Sequence, residues 1–286
     1  MYALLRTEDD TMHSCTTQSF GVDVGKFELV IGDSASERIT RIANQSKAIR
    51  AWLQRLPPNS RIGMEATGNY HLTLADLAHA RGHTVYVCNP RSVATYLKSL
   101  RARGKTDVLD ARGITRFVER ETDDLIAYQP PSPLQRSLQT LLHRRHQVVK
   151  QRTALRLSCQ QLDSAMKGMF ADLLRAFDHC LRQIDQKLRQ LIDSDPALRK
   201  LEQALRTMPG VGPLIGVALA SRLSKHPYRS SDALVAALGM DPRPCQSGSS
   251  EGVRHLSKQG NAEERRLIYM AAVSACKTKH WRAKFE

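Results

Sequence analysis

Hydrophobic and polar positions change rhythm near residue 20 and again near residue 130 of this chain. Between those points, short runs rich in β-branched residues alternate with stretches of helical spacing. The pattern predicts strands over 20–33 and 38–42, then a helix over 46–56 that Pro57-Pro58 stops. A strand over 61–65, a helix over 72–80, a strand over 83–88 and a helix after Asn89-Pro90 follow. This alternation is that of an α/β domain.

Beyond Gln129-Pro-Pro-Ser-Pro133, which breaks any regular element, the composition turns to Leu, Gln, Arg and Lys. Leu134, Leu138, Leu141, Val148, Leu155, Cys159, Leu162, Met166 and Met169 form a seam at alternating four- and three-residue spacing. Arg145 and Arg152 are its polar interruptions. A second seam runs through Leu174, Phe177, Leu181, Ile184, Leu188 and Leu191. Two such helices in succession predict an antiparallel coiled-coil arm, internal to the chain or joining two subunits. From Leu201 helical spacing resumes, interrupted by Met208-Pro-Gly-Val-Gly-Pro213. A short helix, a glycine turn and the apolar run 214–223 match a helix-hairpin-helix, in which Gly210 and Gly212 would let backbone N–H groups hold a phosphate. A Gly/Ser/Pro-rich loop over 241–261 leads through Arg254 and Lys258 into a basic helix. The expected organisation is a disordered lead (1–18), an α/β domain (19–128), a helical arm (129–200) and a mainly α-helical C-terminal domain (201–286).

Charge narrows the function. Against 28 acidic residues stand 43 Lys and Arg, a formal +15, which favours a polyanionic partner and salt-dependent binding. Candidate nucleic-acid contacts are Arg144, Arg145, Lys150, Arg152 and Arg156 on the arm, Arg101 and Lys105 upstream, and Arg254 and Lys258 downstream, beside Gly210 and Gly212. The six cysteines form no CxxC pair and read as reduced thiols of a cytoplasmic protein. No apolar stretch approaches the ~20 residues of a membrane span.

Four acids stand where an apolar core disfavours them: Asp23 inside a strand-like run, Glu65 at the end of another, and Asp107 and Asp110 on one helix face. Two-metal phosphodiester chemistry needs carboxylates from separate elements holding cations about 3.5–4 Å apart. The four are therefore candidate ligands for Mg²⁺, or for Mn²⁺ in its place. Taken singly, Asp107 and Asp110 also read as helix N-terminal acids and Glu65 as a strand-end surface residue.

In this order, Asp23, Met-Glu65-Ala-Thr-Gly-Asn-Tyr, Asn89-Pro and Lys105-Thr-Asp-Val-Leu-Asp110-Ala-Arg resemble the RuvC-like DEDD domain of the IS110 insertion-sequence transposases, the bridge-RNA-guided serine recombinases. Met208-Pro-Gly-Val-Gly, Ala237-Leu-Gly-Met-Asp-Pro-Arg, Ser247-Gly-Ser-Ser and Leu256-Ser-Lys-Gln-Gly-Asn resemble that family's C-terminal domain. The resemblance implies an RNase H-like fold of RuvC type holding Mg²⁺, a dimerising coiled-coil arm, and Ser247 as the nucleophile that forms a phosphoserine link to DNA. It further implies a structured noncoding RNA that pairs with target and donor DNA, and a homodimer or tetramer acting at the nucleoid. The chain ends at Phe285-Glu286, where family members usually continue with a further helical stretch.

The residues alone support a Mg²⁺-dependent phosphoryl-transfer enzyme acting on nucleic acid. Two rivals stand beside the recombinase: a structure-specific nuclease of Holliday-junction resolvase type in which water attacks, and a non-catalytic nucleic-acid-binding protein. No histidine completes a Ser-His-Asp arrangement around Ser247.

Overall fold

The computed structural model describes residues 17–36, 38–66, 68–100, 106–225, 228–243, 246–247, 250–278 and 281–283. Most of the expected lead, together with Arg101 and Lys105, lies outside them. The chain forms two compact units, Met1–Pro130 and Pro131–Glu286.

The first unit is built on five strands: β1 (Ser19–Val24), β2 (Glu28–Asp33), β3 (Ile39–Ala43), β4 (Arg61–Glu65) and β5 (Thr84–Cys88). Their order is β3-β2-β1-β4-β5. β1, β2 and β3 pair antiparallel, whereas β4 and β5 join in parallel, so helices must carry the chain back between them. Those helices are α1 (Ser46–Leu53), α2 (Leu72–Ala80), α3 (Pro90–Ser99) and α4 (Asp107–Arg120). The run expected as one strand over 20–33 is a hairpin, because Gly25 turns back and its N–H donates to the Glu28 carbonyl at 2.9 Å. The mixed α/β sheet expected of this half is present.

Alternation divides the sheet into two faces. Val22, Val24, Leu29, Ile31, Ile62, Met64 and Val85 pack with Ile49, Trp52 and Leu53 of α1 and Leu74, Ala75 and Ala78 of α2. On the opposite face, Tyr86 and Cys88 pack with Val93 of α3 and Ile114, Phe117 and Val118 of α4. Here the sheet is surfaced with glycine. A Cβ on Gly21 would lie 2.1 Å from the Thr115 backbone nitrogen, and one on Gly63 would lie 2.0 Å from Val118 Cγ2. The missing side chains let α4 lie against the strands, where the Thr115 hydroxyl accepts the Gly21 N–H at 3.0 Å and donates to the Ala111 carbonyl at 2.9 Å.

The second unit is mainly helical: α5 (Pro133–Ser158), α6 (Ser164–Met169), α7 (Ala171–Asp193), α8 (Pro196–Arg206), α9 (Pro213–Lys225), α10 (Ser231–Leu238) and α11 (Ala262–Ala275). α5 opens on a capping box, with Ser132 and Gln135 satisfying each other's backbone N–H groups. α5 and α7 run antiparallel within one chain, held by Arg145 on Asp185 and Arg152 on Asp178. Leu138, Leu188, Ile192, Leu198, Val217 and Ala220 form their shared core with α8 and α9.

The expected continuous helix over 134–169 is corrected by a break after Ser158. Ser158 Oγ donates to the Leu155 carbonyl at 2.8 Å, and Asp163 caps a new helix by accepting the Met166 N–H at 2.8 Å. Both local bonds compete with helix continuation. Among the described residues, four two-residue strands lie between α10 and α11: β6 (Pro242–Arg243), β7 (Gln246–Ser247), β8 (Ser250–Glu251) and β9 (His255–Leu256). β6 pairs with β9 and β7 with β8. Among the described residues, no helix is long and apolar enough to cross a membrane.

Candidate functional site

Asp23 and Glu65 sit at the C-terminal ends of β1 and β4. The parallel register pairs Gly21 with Gly63 and Val22 with Met64, so the next step brings Asp23 level with Glu65. Because alternate residues share a face, both carboxylates point where Gly21 and Gly63 do, to the side covered by α4. Both are half-buried. Glu65 lies opposite Cys88 in the pairing of β4 with β5. Burial pushes the Cys88 thiol up to about 11, and the Glu65 carboxylate drives it the same way. Cys88 thus stays a neutral thiol beside a carboxylate.

Asp107 and Asp110 occupy the first turn of α4. Thr106 caps that turn, its hydroxyl accepting the Leu109 N–H at 3.2 Å. Asp110 immediately precedes Ala111, whose carbonyl oxygen lies 2.5 Å from where a Gly21 Cβ would stand. Asp23 is two residues beyond Gly21, a step of about 6.6 Å along a strand. One sheet face and the helix packed on it therefore carry all four acids. Among the described residues, however, no three His, Cys, Asp or Glu side chains converge closely enough to hold a metal ion. Four carboxylates without a cation repel one another, and oxygen donors of this kind suit Mg²⁺ or Mn²⁺ rather than softer ions.

Ser247 is described through its backbone, in β7, where it pairs with Ser250. The stem of its loop is closed by several independent contacts. Ser257 N–H donates to the Asp241 carbonyl at 2.9 Å, Lys258 N–H to the Gly239 carbonyl at 3.0 Å, and the Ser257 hydroxyl to Asp241 Oδ1. Arg265 Nη1 donates to the Gly260 carbonyl at 2.6 Å and the Leu238 carbonyl at 3.2 Å. Nothing in the hydrophobic pattern signalled the Asp241–Ser257 pair.

The basic residues separate into two kinds. Arg144, Lys150 and Arg156 are exposed on α5, whereas Arg145 grips Asp185 with Nε at 2.5 Å and Nη2 at 3.0 Å, and Arg152 Nε lies 2.8 Å from Asp178. The latter two hold the helical hairpin together. Arg254 and Lys258 are exposed, and Lys258 adopts φ 53°. Gly210 has φ 85° and faces α11, where an added Cβ would lie 2.1 Å from the Ala271 carbonyl, while Gly212 has open space around it. Packing accounts for Gly210.

An ionic cluster that the sequence reading did not single out lies at the start of α11, whose first turn carries Glu263 and Glu264. Arg222 of α9 binds Glu264 at 3.0 Å, and His146 Nδ1 of α5 lies 3.2 Å from Glu263. Burial pushes Glu263 up to about 7 against the pull of Arg266 and Arg145, and it lowers His146, helped by Arg266, His143 and Lys150.

A family model described as Transposase, of the IS110 DEDD type, matches residues 20–171, and one described as Transposase IS116/IS110/IS902 family matches residues 202–286. The pilin gene-inverting protein of Moraxella bovis is 32% identical over 219 residues, which cover 73% of this chain and 65% of that protein. The chain thus spans just under two thirds of that relative's length. The transposase for insertion sequence element IS1328 of Yersinia enterocolitica is 24% identical over 283 residues, 88% of this chain and 82% of that one. Among solved structures, T. thermophilus RuvC in complex with Holliday junction substrate aligns with a TM-score of 0.32 at 15% identity, over 39% of this chain and 99% of that chain.

Proposed function

The chain belongs to the IS116/IS110/IS902 family of transposases, and on that premise we propose that it is an RNA-guided DNA recombinase with a serine nucleophile. The observation that carries the catalytic reading is the parallel register of β1 and β4, which one step past Val22 and Met64 brings Asp23 level with Glu65 on the sheet face that α4, opening with Asp107 and Asp110, also covers. These four residues would hold Mg²⁺ or Mn²⁺. Such an ion, when bound, neutralises phosphate charge and lowers the pKa of an attacking oxygen.

In this reading Ser247 Oγ forms a bond to a DNA phosphorus, and one strand end departs with the electron pair of the broken P–O bond as it takes a proton. The serine proton passes to solvent. Rejoining runs in reverse, a strand-end hydroxyl attacking the phosphoserine and restoring the serine. One relative is named for inverting a gene; inversion needs cut ends kept and rejoined, as a covalent intermediate allows. The formal charge of +15 and the exposed Arg144, Lys150 and Arg156 support contact with DNA and with a guide RNA whose base pairing selects target and donor. Exposed Leu157, Met166, Met169 and Leu173 at the α5–α7 turn support assembly as a homodimer or tetramer.

The test is covalent trapping. With DNA and RNA supplied, wild-type protein quenched in denaturant should carry a DNA adduct mapping to Ser247. Ser247→Ala should lose cleavage and adduct yet keep nucleic-acid binding, and alanine at Ser249 or Ser250 should retain the adduct. An adduct on another residue overturns the assignment of Ser247. Cleavage without any adduct makes water the nucleophile and the enzyme a nuclease.

A further inference from the structure

The Ser247 strand hangs on a stem too small to hold itself. β6 and β9 contribute two residue pairs, Pro242 with Leu256 and Arg243 with His255. An isolated two-stranded ladder is at best marginal even when longer. The fifteen residues between Asp241 and Ser257 are closed off by little more than that ladder unless side chains reinforce it, and the reinforcement is found at its base. Ser257 donates its backbone N–H to the Asp241 carbonyl at 2.9 Å and its hydroxyl to the Asp241 carboxylate, so one residue pair is tied twice. A hydroxyl bonded to a carboxylate is among the stronger hydrogen bonds.

What lies beneath the pair is densely bonded. Gly239, at φ 66°, stacks on the chain at Gly260, where a Cβ on either glycine would come within 2.5 Å of backbone atoms. Arg265 spans the carbonyls of Leu238 and Gly260, and Arg222 adds a bond to the Ala237 carbonyl at 3.1 Å while pairing with Glu264. Above the pair, Val253 and Leu256 are exposed. Asp241 and Ser257 therefore mark the junction between an anchored base and the segment that carries β7 and β8.

We propose that Asp241 and Ser257 are positioning residues, a side-chain clasp that fixes the orientation in which β7, paired with β8, presents Ser247. This rests on the reading of Ser247 as nucleophile. In this role both act through Ser247 rather than on the reacting atoms. Misplacing a reacting group by about 1 Å costs on the order of a hundredfold in rate, so the loss of one clasp bond should appear in the chemical step.

Two measurements on full-length Ser257→Ala, Asp241→Ala, the double variant and Ser257→Thr test this. Hydrogen exchange over residues 246–251 should quicken in both alanine variants and return toward wild type in Ser257→Thr, which keeps the hydroxyl. At saturating DNA, adduct formation should slow by roughly ten- to a hundredfold in each alanine variant, with DNA affinity and melting temperature near wild type. The double variant should be no slower than the worse single one, because both remove one bond. Unchanged exchange in Ser257→Ala overturns the clasp whatever the nucleophile is. So does a rate loss that only follows lost DNA binding or a lowered melting temperature. If wild type cleaves without an adduct, the serine reading fails, and faster exchange with slower cleavage in the alanine variants still supports a clasp that orders this loop for the reaction.

Discussion

Asp23 and Glu65 stand level with each other on adjacent parallel strands, one step past the pairing of Val22 with Met64. Their side chains share the sheet face that Gly21 and Gly63 open to α4. Two carboxylates so placed repel when no cation lies between them.

Divalent cation should therefore stabilise the fold. At about one hundred times its dissociation constant, Mg²⁺ should add about 2.7 kcal/mol of stability. Asp23→Asn and Asp110→Asn should fold and lose most of that gain. Calorimetric melting with and without Mg²⁺ measures it, and an identical response in all three proteins would remove these residues from the metal site.

The glycine face makes a steric prediction with a built-in contrast. Gly63→Ala meets a side-chain methyl of Val118, whereas Gly21→Ala meets the Thr115 backbone nitrogen. Each should cost about 1–3 kcal/mol or more, as overpacking does. Val118→Ala should restore part of the loss in Gly63→Ala, because it removes the obstructing atoms. Thr115→Ala should not rescue Gly21→Ala, since the backbone remains and the Gly21 N–H loses its acceptor. Denaturant unfolding of the four single and two double variants decides the matter.

Glu263 predicts a pH slope. Its folded pKa of about 7 lies above the ordinary 4.5, so the folded state binds more protons than the unfolded chain between those values. Its contribution is full below pH 4.5 and is lost as pH rises toward 7. His146 acts with opposite sign: its lowered pKa removes stability as pH falls through the ordinary imidazole range. Glu264, also raised by burial against Arg222 and Lys225, adds to the Glu263 slope. Glu263→Gln should flatten the pH dependence of stability between pH 4.5 and 7. A slope equal to wild type would show that Glu263 titrates normally.

Arginines of α5 should differ by their partners. Replacing Arg144, Lys150 and Arg156 with alanine should leave melting nearly unchanged and lower the salt slope of RNA or DNA binding by roughly 2–3. Arg145→Ala should instead loosen the hairpin, because it strands the Asp185 carboxylate at a partly buried position. Binding titrations over a range of salt, beside thermal melts, distinguish the two groups.

The local order of this protein was legible in its sequence. β4 and α2 begin and end where the hydrophobic period and the breakers place them, and Asp23 and Glu65 stand out because a carboxylate beside Val22, Val24 or Met64 needs compensation. Local chemistry was sufficient there. The sequence also carried the family resemblance, through motifs whose spacing survives in linear form.

Long-range pairing decided the rest. Only the parallel register makes Asp23 and Glu65 neighbours, since 42 positions of chain separate them. Only the antiparallel course of α5 and α7 turns Arg145 and Arg152 from candidate phosphate contacts into partners of Asp185 and Asp178. The break after Ser158 depended on two side-chain hydrogen bonds that outweigh helical periodicity, and the Asp241–Ser257 clasp on a loop closing upon itself. A side chain's role follows from what faces it, and for these residues the facing group lies far along the chain.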